Sequence, residues 1–267
     1  MKPHVFDFVR TAAVATRNAI LGANMASISL LAQPGTFLGY VNQALFDYKC
    51  AADVRGLPQA HVGNGFPWVE AETVVIPSPP ASNLWFNTTP SYLTDLISLL
   101  LLCRMTKARR IFEIGTFDGY SACALALNSP PDAKVYTLDL PTAESGELKT
   151  TIMDRRFATQ HAALKRKAWV GTSVEAKIIQ LVGDSAVFDF SEYYGTIDLF
   201  FIDGAHSYEY VKSDTKRAFL CTREGGVVAW HDFGRAGVNG VSRFLSEVRR
   251  QTAVVCVPGG SLAYATV

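Results

Sequence analysis

The sequence lacks a surplus of charge of either sign. Its 25 lysines and arginines nearly balance its 24 aspartates and glutamates, so the formal net charge at pH 7 is +1. Proteins that bind nucleic acid or anionic membrane surfaces mainly through charge need a clear basic excess. We therefore expect neither nucleic acid nor a membrane among the partners of this protein.

Long apolar runs and paired cysteine motifs are also missing. No uninterrupted apolar run approaches the roughly 20 residues that a membrane-spanning helix needs. The five cysteines form no Cys-x-x-Cys pair, which argues against a zinc or redox site and predicts buried free thiols. Charges near the N-terminus at Asp7, Arg10 and Arg17 disfavour a signal peptide, so we expect a cytoplasmic protein.

The first 88 residues differ in pattern from the rest of the chain. Residues 4 to about 56 have apolar stripes that predict helices, and residues 57–90 are rich in Pro, Gly and Asn, with one predicted strand at 73–76. We expect residues 1–88 to form a helical and irregular appendage to a main domain at 89–267. This appendage would cap the main domain or form the interface of a homodimer.

Strands and helices alternate through the main domain. Near-continuous apolar strands between amphipathic helices predict an α/β fold with a doubly wound parallel sheet covered on both faces. The last two apolar segments flank Pro258-Gly259-Gly260 and predict an antiparallel hairpin at or near one sheet edge. The predicted strands are 110–114, 135–139, 177–182, 197–202 and 226–230, and the predicted helices are 91–106, 119–127, about 147–166, 207–220 and 239–250.

Every predicted parallel strand ends near a carboxylate or a histidine. In an open α/β sheet, ligands bind at the carboxyl ends of the strands, so these side chains are expected to share one cleft. The strand ends in chain order are the Gly115–Gly119 turn, Asp139, Gly183-Asp184-Ser185, Asp203-Gly204-Ala205-His206 and His231-Asp232-Phe233.

The Gly115–Gly119 turn connects a predicted strand to a predicted helix. Such a turn presents backbone N–H groups to an anionic ligand, although an ordinary turn without a ligand is an equal alternative on this pattern alone. Phe117 stands where a dinucleotide-binding turn needs glycine, which argues against a pyrophosphate. Asp139, 24 residues after Gly115, has a spacing suited to binding ribose hydroxyls, or is a simple loop aspartate.

Three segments carry a resemblance to a known family. Residues 113–122, Glu-Ile-Gly-Thr-Phe-Asp-Gly-Tyr-Ser-Ala, resemble motif I of class I S-adenosylmethionine-dependent methyltransferases. Residues 197–209 and 225–233 are similar to later motifs of that superfamily, and the closest likeness is to its small-molecule O-methyltransferases of the catechol and caffeoyl-CoA type. The resemblance covers about 105–267 and implies a seven-stranded, mostly parallel sheet that binds S-adenosylmethionine.

The resemblance implies a role for each strand end. The turn after the first strand would hold the methionine part of the cofactor, Asp139 the ribose, and the end of the third strand the adenine. A divalent cation, Mg²⁺ or Mn²⁺, would bind after strands four and five, and a general base would follow the strand-four aspartate. The implied cofactor residues are Glu113, Gly115, Phe117, Gly119, Ser121, Asp139, Asp184 and Ser185; the implied metal ligands are Asp203, His231 and Asp232; and the implied catalytic residues are His206 and Asp203.

One position departs from the family pattern and leaves alternatives open. His231 stands where the family has a carboxylate, so either an imidazole-tolerant metal would suit the site better than Mg²⁺ or His231 is not a ligand. A further alternative is a reaction without metal in which His206 or His231 is the base. We expect methylation of a hydroxyl on a sugar, phenol or other small molecule, with N-methylation or a non-catalytic cofactor-binding module as alternatives. Lys165-Arg166-Lys167 is expected to be a solvated helix face.

Overall fold

The fold is taken from a computed structural model. It describes residues 74–78, 90–140, 150–151, 154, 166–235, 238–257 and 259–267. The predicted helices of residues 4–56 and most of the predicted helix at about 147–166 lie outside the described residues. The appendage at 1–88 and its boundary with the main domain therefore stay predictions.

The described part of the chain alternates strands with helices, close to the predicted order. Predicted and observed boundaries agree within one residue for the first four strands, and the fifth begins four residues earlier than predicted. The helices are α1 (Pro90–Met105), α2 (Tyr120–Asn128), α3 (Tyr208–Cys221) and α4 (Asn239–Val248), and the strands are β1 (Arg110–Ile114), β2 (Lys134–Asp139), β3 (Ile178–Val182), β4 (Ile197–Ile202), β5 (Thr222–Trp230), β6 (Val255–Cys256) and β7 (Ala263–Thr266).

The strands form one seven-stranded sheet in the order β3-β2-β1-β4-β5-β7-β6. Strands β1 to β5 pair in parallel, whereas β7 runs antiparallel to both β5 and β6. The predicted doubly wound sheet with a C-terminal antiparallel hairpin is therefore confirmed. None of the helices in the described part of the chain combines the length and apolar character that crossing a membrane requires.

Alternating side chains of the central strands build a core on each face of the sheet. Ile111 and Leu199 point toward α1 and α2, whereas Phe112 and Phe200 point toward α3 and α4. This division follows from the two-residue period of a strand, which sends neighbouring side chains to opposite faces. The strand ends are thus fixed by a packed layer on each side.

The predicted strand at 73–76 is wrong over its described residues. Residues 74–78 belong to no strand. The backbone N–H of Val75 instead donates to Oδ1 of Asn128 at 2.9 Å, and Nδ2 of Asn128 donates to the Val75 carbonyl at 2.7 Å. One side-chain amide at the end of α2 thus satisfies the two backbone groups that a neighbouring strand would have paired.

The four cysteines in the described part of the chain are buried and free, as predicted: Cys103, Cys123, Cys221 and Cys256. Burial raises the pKa of the Cys103 thiol to about 12. Such a thiol stays protonated near neutral pH and acts as a small apolar side chain rather than as a nucleophile.

Candidate active site

Parallel pairing brings the ends of the central strands to one edge of the sheet. The N–H of Gly115 donates to the Leu138 carbonyl at 2.9 Å, and the N–H of Asp203 donates to the Ile114 carbonyl at 2.8 Å. The N–H of His231 continues the series by donating to Ile202 at 3.0 Å. The polar residues that follow β1, β4 and β5 therefore lie side by side, as the sequence predicted.

The turn after β1 has an unusual backbone. Gly115, Phe117 and Gly119 all have positive φ, at 100°, 44° and 78°. A Cβ atom on Gly115 would lie 2.0 Å from the backbone carbonyl oxygen of Asp203. Glycine is therefore required at position 115 both by its φ and by close contact with the loop after β4.

Two side chains occupy the N-terminal end of α2. The N–H of Tyr120 donates to Oδ1 of Asp118 at 3.0 Å, so a carboxylate of the chain itself already lies beside this helix end. The Ser121 hydroxyl donates to Oε1 of Glu113 at 2.5 Å. Ser121 is thus directed to Glu113, whereas the resemblance assigns its hydroxyl to a cofactor carboxylate.

Glu113 is fully buried beneath the turn. Its Oε2 accepts a hydrogen bond from Thr137 at 2.5 Å, and Thr137 in turn contacts Thr116 at 2.7 Å between hydroxyl oxygens. Burial raises the pKa of Glu113 to about 8, although the hydrogen bonds from Ser121 and Thr137 oppose this shift. Near neutral pH, Glu113 is therefore mainly protonated and joins β1, β2 and α2 as a neutral group.

Asp139 at the end of β2 lies beside Lys167. Its Oδ1 accepts from the Leu140 N–H at 3.1 Å, and its Oδ2 is 4.0 Å from Lys167 Nζ. The Lys167 side chain is only 16% exposed, and its ammonium donates to the Phe117 carbonyl. The expectation of a solvated helix face is therefore wrong at Lys167, because this side chain contacts the turn after β1.

Asp184, after β3, has both carboxylate oxygens engaged. Oδ1 accepts from the Ala186 N–H at 2.9 Å, and Oδ2 accepts from the Tyr210 hydroxyl at 3.1 Å. Ser185 is buried next to it. Asp214 lies nearby on α3, and burial, with a smaller contribution from Asp184, raises the pKa of Asp214 to about 7. This end of the site is therefore shaped by buried acids.

His206 is held between two carboxylates. Its Nδ1 is 2.6 Å from Oδ1 of Asp154, and its Nε2 is 2.7 Å from Oδ2 of Asp232. Burial by itself lowers the pKa of His206, but the hydrogen bonds to Asp154 and Asp232 outweigh it and raise that pKa to about 10. In this arrangement His206 is an imidazolium ion near neutral pH.

His231 lies in a second group of carboxylates. Its Nδ1 is 3.2 Å from Oδ1 of Asp203 and 3.4 Å from Oδ1 of Asp232, and its Nε2 is 3.4 Å from Oδ2 of Asp95. Burial lowers the pKa of His231, but the charges of Asp203 and Asp232 raise it well above its ordinary value. A second buried positive charge thus lies beside the first.

Asp232 connects the two histidines. Its Oδ1 also accepts from an Arg235 guanidinium N–H at 2.7 Å, and its backbone has a φ of 59°. Although burial raises the pKa of Asp232, the charge of His231 and the hydrogen bond from His206 lower it well below its ordinary value. Asp203 is the more open carboxylate, with 31% of its side chain exposed. It is the group through which the cluster reaches solvent.

A possible cation site lies in this cluster. Asp203, His206 and Asp232 each offer one ligand atom, and these atoms lie within 4.8 Å of one another. His231, which the resemblance assigned as a ligand, lies beside this group at the distances given above. Two carboxylates and an imidazole suit Mn²⁺ or Zn²⁺ better than Mg²⁺, which prefers oxygen ligands.

Sequence reasoning missed four residues of the site: Asp95, Asp154, Lys167 and Arg235. Asp95 carried a usable signal, because it is the one acidic residue in the mainly apolar helix α1. Asp95 lies at the edge of the core, where its Oδ1 accepts hydrogen bonds from the backbone N–H groups of Ser261 at 2.6 Å and Leu262 at 2.9 Å. No comparable signal marked Asp154 or Lys167, which come from the stretch between β2 and β3.

Comparison with known proteins agrees with the motifs. Residues 112–233 match the family model described as a methyltransferase domain. Caffeoyl-CoA O-methyltransferase 2 from Populus trichocarpa is 29% identical over 133 residues, which are 49% of this chain and 48% of that protein. A caffeoyl-CoA O-methyltransferase from Stellaria longipes is 29% identical over 141 residues, 51% of this chain and 50% of that protein. The chain thus spans about half the length of the curated relatives it matches.

A solved structure is similar as well. The O-methyltransferase TomG from Streptomyces achromogenes, involved in tomaymycin synthesis and solved in complex with SAM, is 26% identical. The match covers 65% of this chain and 79% of that one, with a TM-score of 0.45. The family match at residues 112–233 contains the ends of β1, β2, β3, β4 and β5. Together with the two caffeoyl-CoA O-methyltransferase relatives, this family match confirms the resemblance to class I S-adenosylmethionine-dependent O-methyltransferases.

Proposed function

We propose that this protein transfers the methyl group of S-adenosylmethionine to a hydroxyl group of a small molecule. The cofactor would bind at the Gly115–Gly119 turn and Asp139, and the acceptor hydroxyl would lie at the cluster of Asp203, His206, His231 and Asp232. The acceptor class, a sugar, phenol or other secondary metabolite, is the part of the proposal that rests on the family resemblance alone. A cytoplasmic location and a homodimer through the N-terminal helices stay predictions.

One observation carries this proposal: the donor turn and the charged cluster are in direct contact. A Cβ on Gly115 would lie 2.0 Å from the Asp203 carbonyl oxygen, so no side chain separates the two loops. In-line methyl transfer needs the sulfonium and the acceptor oxygen next to each other, with reacting atoms about 3–3.5 Å apart. The contact between the two loops supports the binding of donor and acceptor side by side.

The charges suggest how the reaction is divided among the residues. Methyl transfer breaks the sulfonium S–CH₃ bond and forms the O–CH₃ bond, while the hydroxyl loses its proton and the donor becomes a thioether. Asp203, the most exposed carboxylate of the cluster, would accept that proton. His206, already protonated, would stabilise the negative charge that develops on the acceptor oxygen through its own charge, because both of its ring N–H groups are directed to Asp154 and Asp232. For His206 to act as the base, one of these contacts would have to open.

A divalent cation is compatible with the same residues. Asp203, His206 and Asp232 would hold it, since their ligand atoms lie within 4.8 Å of one another. A bound cation would supply Lewis acidity, which lowers the pKa of a coordinated hydroxyl. Only a neutral imidazole coordinates a metal, so cation binding would require His206 to lose a proton and one of its two carboxylate contacts.

The test measures formation of S-adenosylhomocysteine with caffeoyl-CoA and a panel of simple phenols and sugars as acceptors. Asp203→Asn and His206→Gln should each lower kcat by about 10²–10⁴-fold, the range typical of proton-transfer and oxyanion-stabilising groups. Cofactor affinity, measured by isothermal titration calorimetry, should change less than about threefold. A parallel assay after chelation and metal-free dialysis tests the need for a cation.

Asp198→Asn is the matched control. Like Asp203, Asp198 is a partly buried aspartate with a basic partner, in this case Arg223, but it lies at the opposite end of β4. Its substitution should leave kcat near the wild-type value. Full activity of Asp203→Asn and His206→Gln would show that the site is misassigned, and a wild-type chain that binds no S-adenosylmethionine would refute the proposed function.

A further inference from the structure

A short segment far along the chain braces the turn after β1. The N–H of Ala168 donates to the Asp118 carbonyl at 2.8 Å, and the Lys167 ammonium donates to the Phe117 carbonyl. The ring of Trp169 packs against Gly119, where a Cβ would lie 2.1 Å from a ring carbon. Three consecutive residues, Lys167 to Trp169, thus contact three consecutive residues of the turn.

The turn has a physical need for such support. Positive φ at Phe117 costs free energy, because a side chain in the left-handed region crowds its own backbone. A conformation of this kind persists only where surrounding contacts determine it. The Lys167 contact is made to the carbonyl of Phe117 itself, so it acts at the most strained side-chain-bearing position of the turn.

Lys167 also connects the turn to the neighbouring strand end. Its Nζ is 4.0 Å from Oδ2 of Asp139, and its charge also faces Asp118 and Glu113. An ammonium so little exposed compensates the charges of Asp139 and Asp118, which would otherwise be buried beside the turn without a counter-charge. One side chain therefore contacts the part of the site assigned to the methionine group and approaches the part assigned to ribose.

We propose that Lys167 is a positioning residue for the cofactor, which holds the Phe117 turn and Asp139 in the relative arrangement that S-adenosylmethionine requires. This inference rests on the proposed function. Lys167 acts through the turn and need not touch the reacting atoms. Its loss should therefore weaken cofactor binding more than it slows methyl transfer at saturating cofactor.

The experiment compares Lys167→Met, Lys167→Arg and Lys177→Met in the full chain. Lys177 is the control, because its ammonium likewise donates to backbone carbonyls, those of Ala126 and Ser129, but at the opposite end of α2. The measurements are the Kd for S-adenosylmethionine by calorimetry, the separate kcat and KM for the cofactor, and hydrogen exchange of residues 115–121 without cofactor.

Lys167→Met should raise the Kd and the KM for S-adenosylmethionine by about 10–100-fold, with a much smaller change in kcat. It should also increase hydrogen exchange of the turn. Lys167→Arg, which keeps the charge and the donors, should recover most of the affinity, and Lys177→Met should bind the cofactor as the wild type does.

Three results would overturn the proposal. These are unchanged cofactor affinity in Lys167→Met, equal weakening by Lys167→Met and Lys177→Met, or a loss confined to kcat. Failure of the wild-type chain to bind S-adenosylmethionine would instead refute the proposed function, and the cofactor role of Lys167 with it. Hydrogen exchange of the turn would then show whether the brace is purely structural.

Discussion

The two halves of the strand-end cleft are built by different means. The half after β1 and β2 is shaped by backbone: Gly115, Phe117 and Gly119 have positive φ, and the buried acid beneath them, Glu113, is mainly neutral near pH 7. The half after β4 and β5 is shaped by charge, with Asp203, Asp232, Asp154 and Asp95 around two histidines. The first half depends mainly on backbone geometry, supported by the single ammonium of Lys167, and the second depends on charge balance.

This difference agrees with the chemistry of the two proposed ligands. A donor that is the same in every turnover is served by a fixed backbone cradle, whose N–H and carbonyl groups do not titrate. An acceptor that changes charge during the reaction is served by groups that already carry opposite charges and need little reorganisation. Substitutions in the two halves should therefore destabilise the protein for different physical reasons.

The largest loss in the free energy of unfolding is expected from Asp232→Asn, in the half after β4 and β5. Asparagine tolerates the positive φ of position 232, so the substitution mainly removes the charge that pairs with His206 and Arg235. Breaking a buried ion pair while leaving its partner buried costs about 3–5 kcal/mol. Urea unfolding should show a loss of that size in the free energy of unfolding.

The comparison for this loss is Asp198→Asn at the other end of β4. Its partner Arg223 is 41% exposed, so solvent compensates much of the lost charge and the cost should be about 1 kcal/mol. If the two substitutions cost the same, charge balance is not what maintains the second half of the cleft.

Gly115→Ala, in the half after β1 and β2, should have a smaller effect and lower the free energy of unfolding by about 3 kcal/mol. The added Cβ would lie 2.0 Å from the Asp203 carbonyl oxygen and would force a φ of 100° on a side-chain-bearing residue. Gly195→Ala separates the two causes, because Gly195 has a φ of 64° but no atom within 4 Å of the added Cβ. It should cost only about 1 kcal/mol. Equal losses in urea unfolding would mean that contact with Asp203 contributes nothing.

The same contrast explains what the sequence could predict. The turn after β1 and the ends of the strands follow from local patterns, so Gly115, Asp139 and Asp203 were found at their correct places in the fold. Asp95 reaches the site from α1, more than 100 residues before Asp203 in the chain, and contacts His231 only because α1 packs beside the C-terminal hairpin. Such partners are determined by tertiary packing, and the spacing of residues along the chain does not indicate them.

The protonation state of His206 could not be predicted from the sequence for the same reason. An isolated histidine has a pKa near 6.5, which suggests a general base near neutral pH. Its two carboxylate partners lie 52 residues before it and 26 residues after it. Only their convergence in the fold raises its pKa to about 10, which favours the protonated imidazolium near neutral pH.

Glu113→Gln should change the free energy of unfolding at pH 5 least of these substitutions. It tests whether the first half of the cleft contains a neutral group beneath the turn. Glutamine keeps the size of the side chain and an oxygen that accepts from Ser121 or Thr137. The folded-state pKa of Glu113, about 8, is above the ordinary value of 4.5, so its protonated form favours folding at low pH. That contribution is fully present below pH 4.5 and is lost as the pH rises through 8.

Glutamine does not titrate, so the free energy of unfolding of the variant relative to the wild type should rise between pH 4.5 and 8. The slope should be on the order of 1.4 kcal/mol per pH unit, and urea unfolding at pH 5, 6.5 and 8 measures it. Wild-type cofactor affinity in Glu113→Gln at pH 7 would agree with a neutral Glu113. A difference that stays flat with pH would mean that Glu113 is ionised in the folded protein, and both halves of the cleft would then depend on charge.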